Sequence, residues 1–260
     1  MPEVTKDTHS VAFFTAQPRI DRLKLIEEFG YHVSCVVLPS TKKYLSGLGS
    51  LQSYCRDKDI RTEIITGTNF SAIEDIANKK NLLISSGYNR IIPEKIFGEF
   101  YCSVNFHPSL LPKNRGRYLH YVLINREEVS GCTLHLLNEK VDAGAILAQR
   151  EFPVSSFDTI KSLQRKSDEV ELDILKDFLS NPEALLSRAK SQDETQASTY
   201  VEKRTPADSE LDENMSLKDA FYILRALDSQ KYPGYIWIDG ERVGFSIRRI
   251  DKVCKDDDLI

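Results

Sequence analysis

Short apolar runs alternate with helix-like stretches along the first half of the chain, and this alternation limits the possible folds more than any other feature. Two stretches between the runs predict helices: residues 20–29, which are followed by Gly30, and residues 72–80. The runs that we interpret as strands are residues 11–14, 33–38, 64–65, 82–86 and 103–106. Strands that alternate with helices predict βαβ units and a mostly parallel sheet. In such a sheet, sites form at the carboxyl ends of the strands.

The pattern of the chain changes after this region. Residues 131–137 alternate between two faces, residues 145–154 form another extended run, and the polar segment 138–144 predicts a tight loop between them. A long amphipathic helix is predicted at residues 159–179. The sheet is therefore expected to continue with two neighbouring strands before the chain enters a long helix.

The C-terminal part predicts a small separate module. Residues 190–199 are polar and are interpreted as a connection, and residues 216–227 have a helical pattern. Two extended runs, 235–238 and 242–247, flank Asp239-Gly240, which is a strong hairpin signal.

These elements together predict an α/β fold: a Rossmann-like, mostly parallel sheet with flanking helices, plus a small C-terminal helix and β-hairpin module. We expect a catalytic domain at residues 1–200, with a flexible tail at 1–10, and the C-terminal module at 201–260. A module of that size is marginal as an independent domain, so we expect it to pack on the larger one.

Composition excludes several classes of protein. The net charge of −4 argues against bulk binding of nucleic-acid phosphates, and no apolar run approaches the ~20 residues of a membrane span. The first ten residues contain no apolar segment of the secretory type. The five cysteines show no CxxC spacing, which predicts buried thiols in a reducing compartment and no metal site. We therefore expect a cytoplasmic protein with no nucleic-acid or membrane partner.

Three polar residues near the end of the last predicted parallel strand are suited to acyl transfer. His107 has a side chain that accepts a proton from an amine near neutral pH, and the Asn105 amide is a donor for an oxyanion. Asp142 has a carboxylate that would orient an imidazole and favour its charged form. Each residue alone has an ordinary explanation as a turn, cap or structural residue, so only the composite pattern favours a catalytic site.

The motifs around these residues form that composite pattern. Asn-x-His-Pro-Ser-Leu-Leu-Pro at 105–112, Gly-Cys-Thr-Leu-His at 131–135 and Asp-Ala-Gly-Ala-Ile at 142–146 resemble the folate-dependent formyltransferase family. Upstream, Gly-Tyr-Asn-Arg-Ile-Ile-Pro at 87–93 is similar to the folate-site loop of that family. The resemblance is good from about residue 85 to 154 and weaker elsewhere.

The resemblance implies a donor, an acceptor class and a set of roles. N10-formyltetrahydrofolate would be the co-substrate, a primary amine the acceptor, and no metal would be needed. His107 would act as general base and, with Asn105, stabilise the tetrahedral oxyanion, while Asp142 would hold His107. His135 would support the loop structurally. The residues implied to bind folate are Tyr88, Arg90, Ile91, Ile92, Lys140 and Val141, although Arg90 is equally compatible with an acceptor phosphate.

The tail resembles the sugar branch of the family, on the segments 203–209, 221–227 and 232–234. It implies an acceptor that is a nucleotide-linked amino sugar, with dTDP-4-amino-4,6-dideoxyglucose or galactose for lipopolysaccharide O-antigen synthesis as the first choice. GDP- and UDP-linked sugars stay open, and the alternative is a methionyl-tRNA formyltransferase. The residues interpreted as substrate-binding are Lys203 and Arg204, for a pyrophosphate, and Tyr222 and Trp237, for a base. A homodimer that uses the hairpin edge is expected.

The chain also departs from the family pattern. Residues 13–18 contain no glycine where the family has a glycine-containing turn, and Asn114 replaces the usual tyrosine. The tail has Asp212-Glu213 where an acidic residue is usually followed by an aromatic one. Two rival hypotheses are a hydrolase that releases the formyl group to water and a non-catalytic protein on the same fold; the intact Asn105, His107 and Asp142 argue against the second.

Overall fold

The computed structural model describes residues 9–40, 47–116, 119–200, 205–228 and 232–250. The chain forms two compact units by its internal contacts. The first comprises Met1–His107, Thr133–Gln149 and Glu171–Gln192, and the second comprises Pro108–Cys132, Arg150–Val170 and Asp193–Ile260. The predicted division into domains at residue 200 stays a prediction.

Strands and helices alternate through the first part of the chain, as the sequence predicts. The strands are β1 (Ser10–Phe14), β2 (His32–Pro39), β3 (Thr62–Ile65), β4 (Asn81–Ser86), β5 (Cys102–His107), β6 (Arg115–Gly116), β7 (Val129–Leu136), β8 (Ile146–Pro153), β9 (Thr199–Tyr200), β10 (Gly234–Ile238) and β11 (Glu241–Phe245). The α-helices are α1 (Ile20–Glu28), α2 (Gly49–Asp57), α3 (Glu94–Phe97), α4 (Leu119–Ile124), α5 (Ile160–Ser180), α6 (Pro182–Leu186) and α7 (Leu217–Leu224). No described helix is long and apolar enough to cross a membrane.

Seven strands form the main sheet in the order β3-β2-β1-β4-β5-β7-β8. The pairs from β3 to β5 are parallel, and β7 is antiparallel to β5. The α/β fold with a mostly parallel sheet is thus confirmed. Because the chain moves outward from β1 through β2 and β3 and then returns to β4 on the other side, the strand order reverses between β1 and β4. Ligands of open α/β sheets bind outside the carboxyl ends of strands near such a reversal.

The core of the first unit explains why these strands read as continuous apolar runs. Both faces of a parallel sheet are covered, so both sets of alternating side chains are buried; all six residues of β4 are buried. One face packs into a single cluster whose main members are Ala12, Phe14, Cys35, Val37, Leu83, Ile73, Ile92, Ile96 and Phe100. This packing fixes the strand ends at which the candidate site lies.

The cysteines behave as the sequence predicts. Cys35, Cys55, Cys102 and Cys132 are buried free thiols, while Cys254 lies outside the described residues. Burial raises the pKa of the Cys35 and Cys102 thiols to about 12. They therefore act as small core side chains and not as nucleophiles.

One predicted helix is wrong and one helix was not assigned. Residues 72–80 contain only the 3₁₀ turn Ser71–Ile73, because Asn78 uses its side-chain oxygen to accept the Lys80 N–H at 2.9 Å and so competes with helical bonding. Helix α2 has only two buried side chains, Leu51 and Cys55, so its apolar stripe is too narrow to stand out in the sequence. The predicted tail at 1–10 is too long, because His9 is buried and Ser10 begins β1.

The second unit has its own apolar cluster and contains the predicted hairpin. Its buried members are Leu119, Val122, Leu123, Phe152, Leu163 and Ala226. Strands β10 and β11 pair antiparallel with Ile238 opposite Glu241, so Asp239-Gly240 is the two-residue turn. Both turn residues have positive φ, 48° and 82°, as the right-handed twist of a hairpin favours.

Candidate active site

Strand β5 presents two of the candidate catalytic side chains near its carboxyl end. Asn105 and His107 are two residues apart, so their side chains lie on the same face of the sheet. Antiparallel pairing with β7 sets His135 directly opposite Asn105 and Thr133 opposite His107. His107 is buried, with 2% of its surface exposed, and Asn105 is half-buried.

Asp142 reaches the same place through the turn between β7 and β8. Its backbone has a φ of 52°, in the left-handed region, and Gly144 approaches Leu136 so closely that a Cβ would lie 1.8 Å from the Leu136 carbonyl oxygen. Asp142 Oδ2 lies 3.3 Å from His107 Nδ1, and Oδ1 lies 3.6 Å from His135 Nε2. The structure therefore brings Asn105, His107 and Asp142 together and adds His135.

His135 contacts two of these residues. Its Nδ1 atom lies 2.8 Å from the Leu136 carbonyl oxygen, and its Nε2 atom lies 3.1 Å from Asn105 Nδ2. Because a carbonyl only accepts, Nδ1 donates to it, and in the neutral ring Nε2 is then the acceptor for the Asn105 amide. The ring thereby fixes which way the Asn105 amide is turned. The resemblance to the family implied only a supporting structural role for His135, and this contact was not predicted.

The arrangement has the parts that acyl transfer to an amine needs. Oδ2 of Asp142 accepts from Nδ1 of His107, which leaves Nε2 as the basic ring nitrogen. An adjacent carboxylate orients the imidazole and favours its charged form. The Asn105 amide has a second N–H besides the one that His135 accepts, and such a donor is suited to a developing oxyanion.

The segment predicted to bind folate follows β4 directly. Gly87 has a φ of 68°, and the side chain of Gln17 lies against it. Tyr88 packs edge-on against Phe14 with ring centroids 5.3 Å apart. Its hydroxyl is buried with no hydrogen-bond partner among the described residues, and burial raises its pKa to about 12. A buried hydroxyl without a partner is a candidate contact for a ligand.

The rest of this segment and the turn 138–142 face each other. Ile92 is buried, whereas Arg90 and Ile91 are exposed, Ile91 to 74%. In the turn, Lys140 and Val141 are exposed as well. A hydrogen bond and charge repulsion from Glu139 raise the pKa of Glu94, which follows the folate segment. The two segments that the resemblance assigned to folate are therefore neighbours.

The candidate substrate residues of the tail belong to the second unit. The Tyr222 ring has the guanidinium of Arg126 at 4.3 Å and that of Arg225 at 4.8 Å from its centroid. Trp237 is exposed on the hairpin, 6.0 Å from the Tyr235 ring. Lys203 and Arg204 lie outside the described residues. The assigned roles of all four stay predictions.

The hydrogen bonds of two residues, Gln192 and Asn114, were not predicted from the sequence. Gln192 Nε2 donates to the carbonyl oxygens of Asp142 at 2.8 Å and of Gly144 at 2.7 Å. Asn114 is buried with a φ of 59°; its Nδ2 donates to Glu127 at 3.0 Å and its backbone N–H donates to Ser198 Oγ at 2.8 Å. Asparagine tolerates this left-handed conformation better than the tyrosine it replaces, which gives a physical reason for the departure. The polar composition of the segment around Gln192 contains no signal for its contact.

No group of three or more His, Cys, Asp or Glu side chains is arranged to hold a metal ion in the part of the chain that the structure describes. The expectation of a metal-free reaction stays a prediction. The sheet, Asn105 and His107 at the end of β5, and Asp142 in the turn before β8 define an α/β enzyme suited to group transfer.

Comparison with known proteins gives the family. The Formyl transferase family model matches residues 66–179. A methionyl-tRNA formyltransferase from Pseudothermotoga lettingae is 33% identical over 231 residues, which cover 85% of this chain and 72% of that enzyme. This chain therefore belongs to the formyltransferase family and is an enzyme that transfers formyl groups, as its motifs suggested.

Solved structures with the same fold include two formyltransferases. A sugar N-formyltransferase from Shewanella sp FDAARGOS_354 has a TM-score of 0.73 and 24% identity, covering 95% of this chain and 99% of that one. An N-formyltransferase from Helicobacter canadensis, solved with folinic acid and dTDP-3-aminofucose, has a TM-score of 0.69 and 20% identity, covering 91% and 86%. At these identities the similarity establishes the fold.

Proposed function

We propose that this enzyme transfers the formyl group of N10-formyltetrahydrofolate to the amine of a nucleotide-linked amino sugar. The observation that carries the reaction is the contact of 3.3 Å between His107 Nδ1 and Asp142 Oδ2, beside the Asn105 amide. In this arrangement His107 is the base, Asp142 orients the base, and Asn105 is the oxyanion donor.

The proposed roles follow from the atoms. The acceptor amine attacks the formyl carbon, and the Asn105 amide donates to the oxyanion as the new N–C bond forms. His107 Nε2 takes a proton from the attacking nitrogen, and the charged ring, held by Asp142, then also stabilises the oxyanion. The bond from the formyl carbon to N10 of the folate then breaks, and N10 receives the proton that His107 took. The products are a formamide and tetrahydrofolate.

The proposed folate site consists of Tyr88, Arg90, Ile91 and Ile92 after β4, together with Lys140 and Val141 in the facing turn. The partnerless hydroxyl of Tyr88 and the exposed apolar side chain of Ile91 fit a flat heterocycle with polar edges. The carboxyl groups of Glu94 and Glu139 lie close enough for Glu139 to raise the pKa of Glu94, and this proximity of the two segments supports the proposal.

The acceptor is proposed from the C-terminal part of the chain. The tail, which contains helix α7 and the strand pair β10–β11, resembles the sugar branch of the family in sequence. The fold is similar to that of a sugar N-formyltransferase over nearly the full length of both chains. We propose dTDP-4-amino-4,6-dideoxyglucose or galactose, used for lipopolysaccharide O-antigen, in the cytoplasm. In this proposal Lys203 and Arg204 meet the pyrophosphate, and Tyr222 or Trp237 contacts the base.

A methionyl-tRNA formyltransferase is the second candidate. It is favoured by one observation, the relative from Pseudothermotoga lettingae that carries this name and is 33% identical. The net charge of −4 weighs against it, since binding a tRNA requires many phosphate contacts.

A panel of acceptors separates the two candidates. The purified enzyme is given N10-formyltetrahydrofolate and, in parallel, dTDP-, GDP- and UDP-linked amino sugars and initiator methionyl-tRNA. We expect formylation of a dTDP-linked amino sugar, detected by mass spectrometry as the added formyl group. Formylation of the tRNA alone would overturn the proposed acceptor.

We also propose that the enzyme is a homodimer that uses the hairpin. The pairing of β10 with β11 sets Ile236, Ile238, Val243 and Phe245 on one face, and the last three are at least 40% exposed. An exposed apolar hairpin face of this kind fits a protein interface. Light scattering is expected to give a dimer for the wild type and a monomer for Val243→Glu, and a monomeric wild type would contradict the proposal.

A further inference from the structure

We propose that Gln192 is a positioning residue of the formyl-transfer centre, which keeps the Asp142 turn in the conformation that aims the carboxylate at His107. The consequence for catalysis rests on the proposed function of His107 and Asp142. Gln192 lies in a segment that the sequence predicts to be a connection, and no motif of the family covers it.

The contact uses both hydrogens of one amide nitrogen. Gln192 Nε2 lies 2.8 Å from the Asp142 carbonyl oxygen and 2.7 Å from the Gly144 carbonyl oxygen. A carbonyl oxygen only accepts, so each takes one N–H of the –NH₂ group. The amide therefore joins the two ends of the short segment 142–144.

The turn needs such support because its backbone is unfavourable. Asp142 has a φ of 52°, which residues other than glycine adopt rarely, and surrounding contacts must keep it there. Position 144 admits only glycine, since a Cβ there would lie 1.8 Å from the Leu136 carbonyl oxygen. A bond from Ala143 N–H to the Lys140 carbonyl at 3.2 Å closes the turn from the other side.

The register of the chain brings Gln192 to this position. Lys190 and Ile146 exchange two backbone hydrogen bonds, of 2.9 and 2.8 Å, as an antiparallel bridge. Two residues forward from Lys190 correspond to two residues back from Ile146, so Gln192 comes to lie opposite Gly144. Lys190 therefore pairs with the first residue of β8, and the segment 190–192 does more than connect two parts of the chain.

The orientation of the Asp142 carboxylate depends on this backbone. One oxygen contacts His107 Nδ1 and the other approaches His135 Nε2, at 3.3 and 3.6 Å. A displacement of about 1 Å at a reacting group is enough to lower a rate about 100-fold. Loss of the two donors from Gln192 is thus expected to act on catalysis through Asp142, without any contact between Gln192 and substrate.

The test uses Gln192→Met, which keeps the length and volume of the side chain and removes both donors. Gln164→Met is the matched control, because Gln164 is also half-buried but donates its side-chain amide to Asp168 along helix α5 and lies far along the chain from the Asp142 turn. We expect Gln192→Met to lower kcat about 10- to 100-fold with an unchanged circular dichroism spectrum, and Gln164→Met to retain wild-type kcat.

A second measurement separates a positioning effect on Asp142 from a general loss of activity. The imidazole of His107 is titrated by ¹⁵N NMR, and its signal is the one of the five histidines that disappears in His107→Gln. With the Asp142 carboxylate displaced, the charged ring is less favoured, so the titration of His107 moves to lower pH in Gln192→Met, in the same direction as in Asp142→Asn. The other histidines that this change can affect include His135, which faces the same carboxylate.

The outcomes are distinguishable. A folded Gln192→Met with wild-type kcat and wild-type titration of His107 overturns the inference, as does a lower kcat without any change in that titration. If the wild type formylates no acceptor but the titration moves in Gln192→Met, the positioning role is supported and the proposed function fails.

Discussion

Asp142 places its Oδ2 atom 3.3 Å from Nδ1 of His107, a ring that is almost completely buried. A carboxylate accepts hydrogen bonds but does not donate them, so this contact requires the proton of a neutral imidazole to be on Nδ1. The second nitrogen, Nε2, is then the atom that takes a proton from a substrate. The geometry thus assigns the base to one atom, which the motif alone does not do.

Replacing this carboxylate by an amide is expected to lower activity strongly. Asp142→Asn keeps the shape of the side chain but removes the charge that stabilises the imidazolium, so we predict that kcat/KM falls at least ~100-fold. The acid limb of the pH profile is predicted to move to lower pH, because the charged ring is less favoured. Steady-state assays from pH 5 to 9 measure both effects, with the surface substitution Asp173→Asn as control. An unchanged profile would argue against the role of Asp142.

His135 is predicted to matter through Asn105. The Asn105 amide donates to His135 Nε2 at 3.1 Å, and His135→Phe removes that acceptor while keeping a ring in the core. A neutral hydrogen bond contributes about 0.5–1.5 kcal/mol, which corresponds to a fall in kcat of roughly 3- to 10-fold. The exposed His32→Ala is the control. Wild-type kcat in a folded His135→Phe enzyme would show that the amide needs no such partner.

The sequence predicts the catalytic side chains of this centre better than the contacts that position them. β4 and β5 are apolar runs with one interpretation, and Asn105 and His107 lie on one strand, so their common face follows from strand geometry. Asp142 arrives through a turn with positive φ, and only the pairing of β5, β7 and β8 brings it to His107. The role proposed for Gln192 depends on the pairing of Lys190, two residues earlier, with Ile146. A short polar segment contains no periodicity from which that register could be deduced.

A buried ion pair next to the segment that we propose for folate binding is a second feature that the sequence pattern does not predict. Glu171 lies within the apolar stripe of α5, where the sequence pattern predicts hydrophobic residues, yet it accepts from Arg22 Nε at 3.1 Å and from Ser86 Oγ at 2.5 Å. All three side chains are buried. Burial of a carboxylate is tolerated because it is paired and hydrogen-bonded. The network fastens the last residue of β4, directly before Gly87.

Breaking this pair from one side is expected to be costly. Glu171→Leu removes the buried carboxylate that accepts from the Arg22 guanidinium and leaves that cation in the interior, so we predict a loss of about 3–5 kcal/mol in the free energy of unfolding. The double substitution Arg22→Met/Glu171→Leu removes both charges and should lose less than Glu171→Leu alone. Urea unfolding of Glu171→Leu, Arg22→Met and the double variant gives the coupling free energy between the two side chains. Additive losses would mean that the pair does not act as a unit.

The buried Asp158 carboxyl is expected to make the stability of the protein depend on pH. Burial alone would raise the pKa of its carboxyl, but hydrogen bonds from Lys166, the Ser155 amide and Ser162 outweigh it and lower the pKa below its usual value. A carboxyl with a lowered pKa stabilises the fold above its unfolded pKa of ~3.9, and this contribution is lost as the pH falls through the folded value.

Asp158→Asn is therefore predicted to lower the free energy of unfolding by about 1–3 kcal/mol at pH 7 and to have a smaller effect near pH 3. Urea unfolding at both pH values measures the difference. Asp173→Asn, which removes an exposed i,i+3 partner of Lys176, should change stability by less than about 1 kcal/mol at either pH. Equal effects of Asp158→Asn at the two pH values would contradict the account.

Single-turnover formyl transfer tests whether His107 is the base of the formyl-transfer centre, as we propose. The wild type and His107→Ala are mixed with N10-formyltetrahydrofolate and the acceptor that the wild type uses, and folate binding is measured separately by fluorescence. We predict that His107→Ala transfers formyl at least ~100-fold more slowly while binding folate within about twofold of the wild type. Transfer by His107→Ala at a rate near that of the wild type would contradict the assignment.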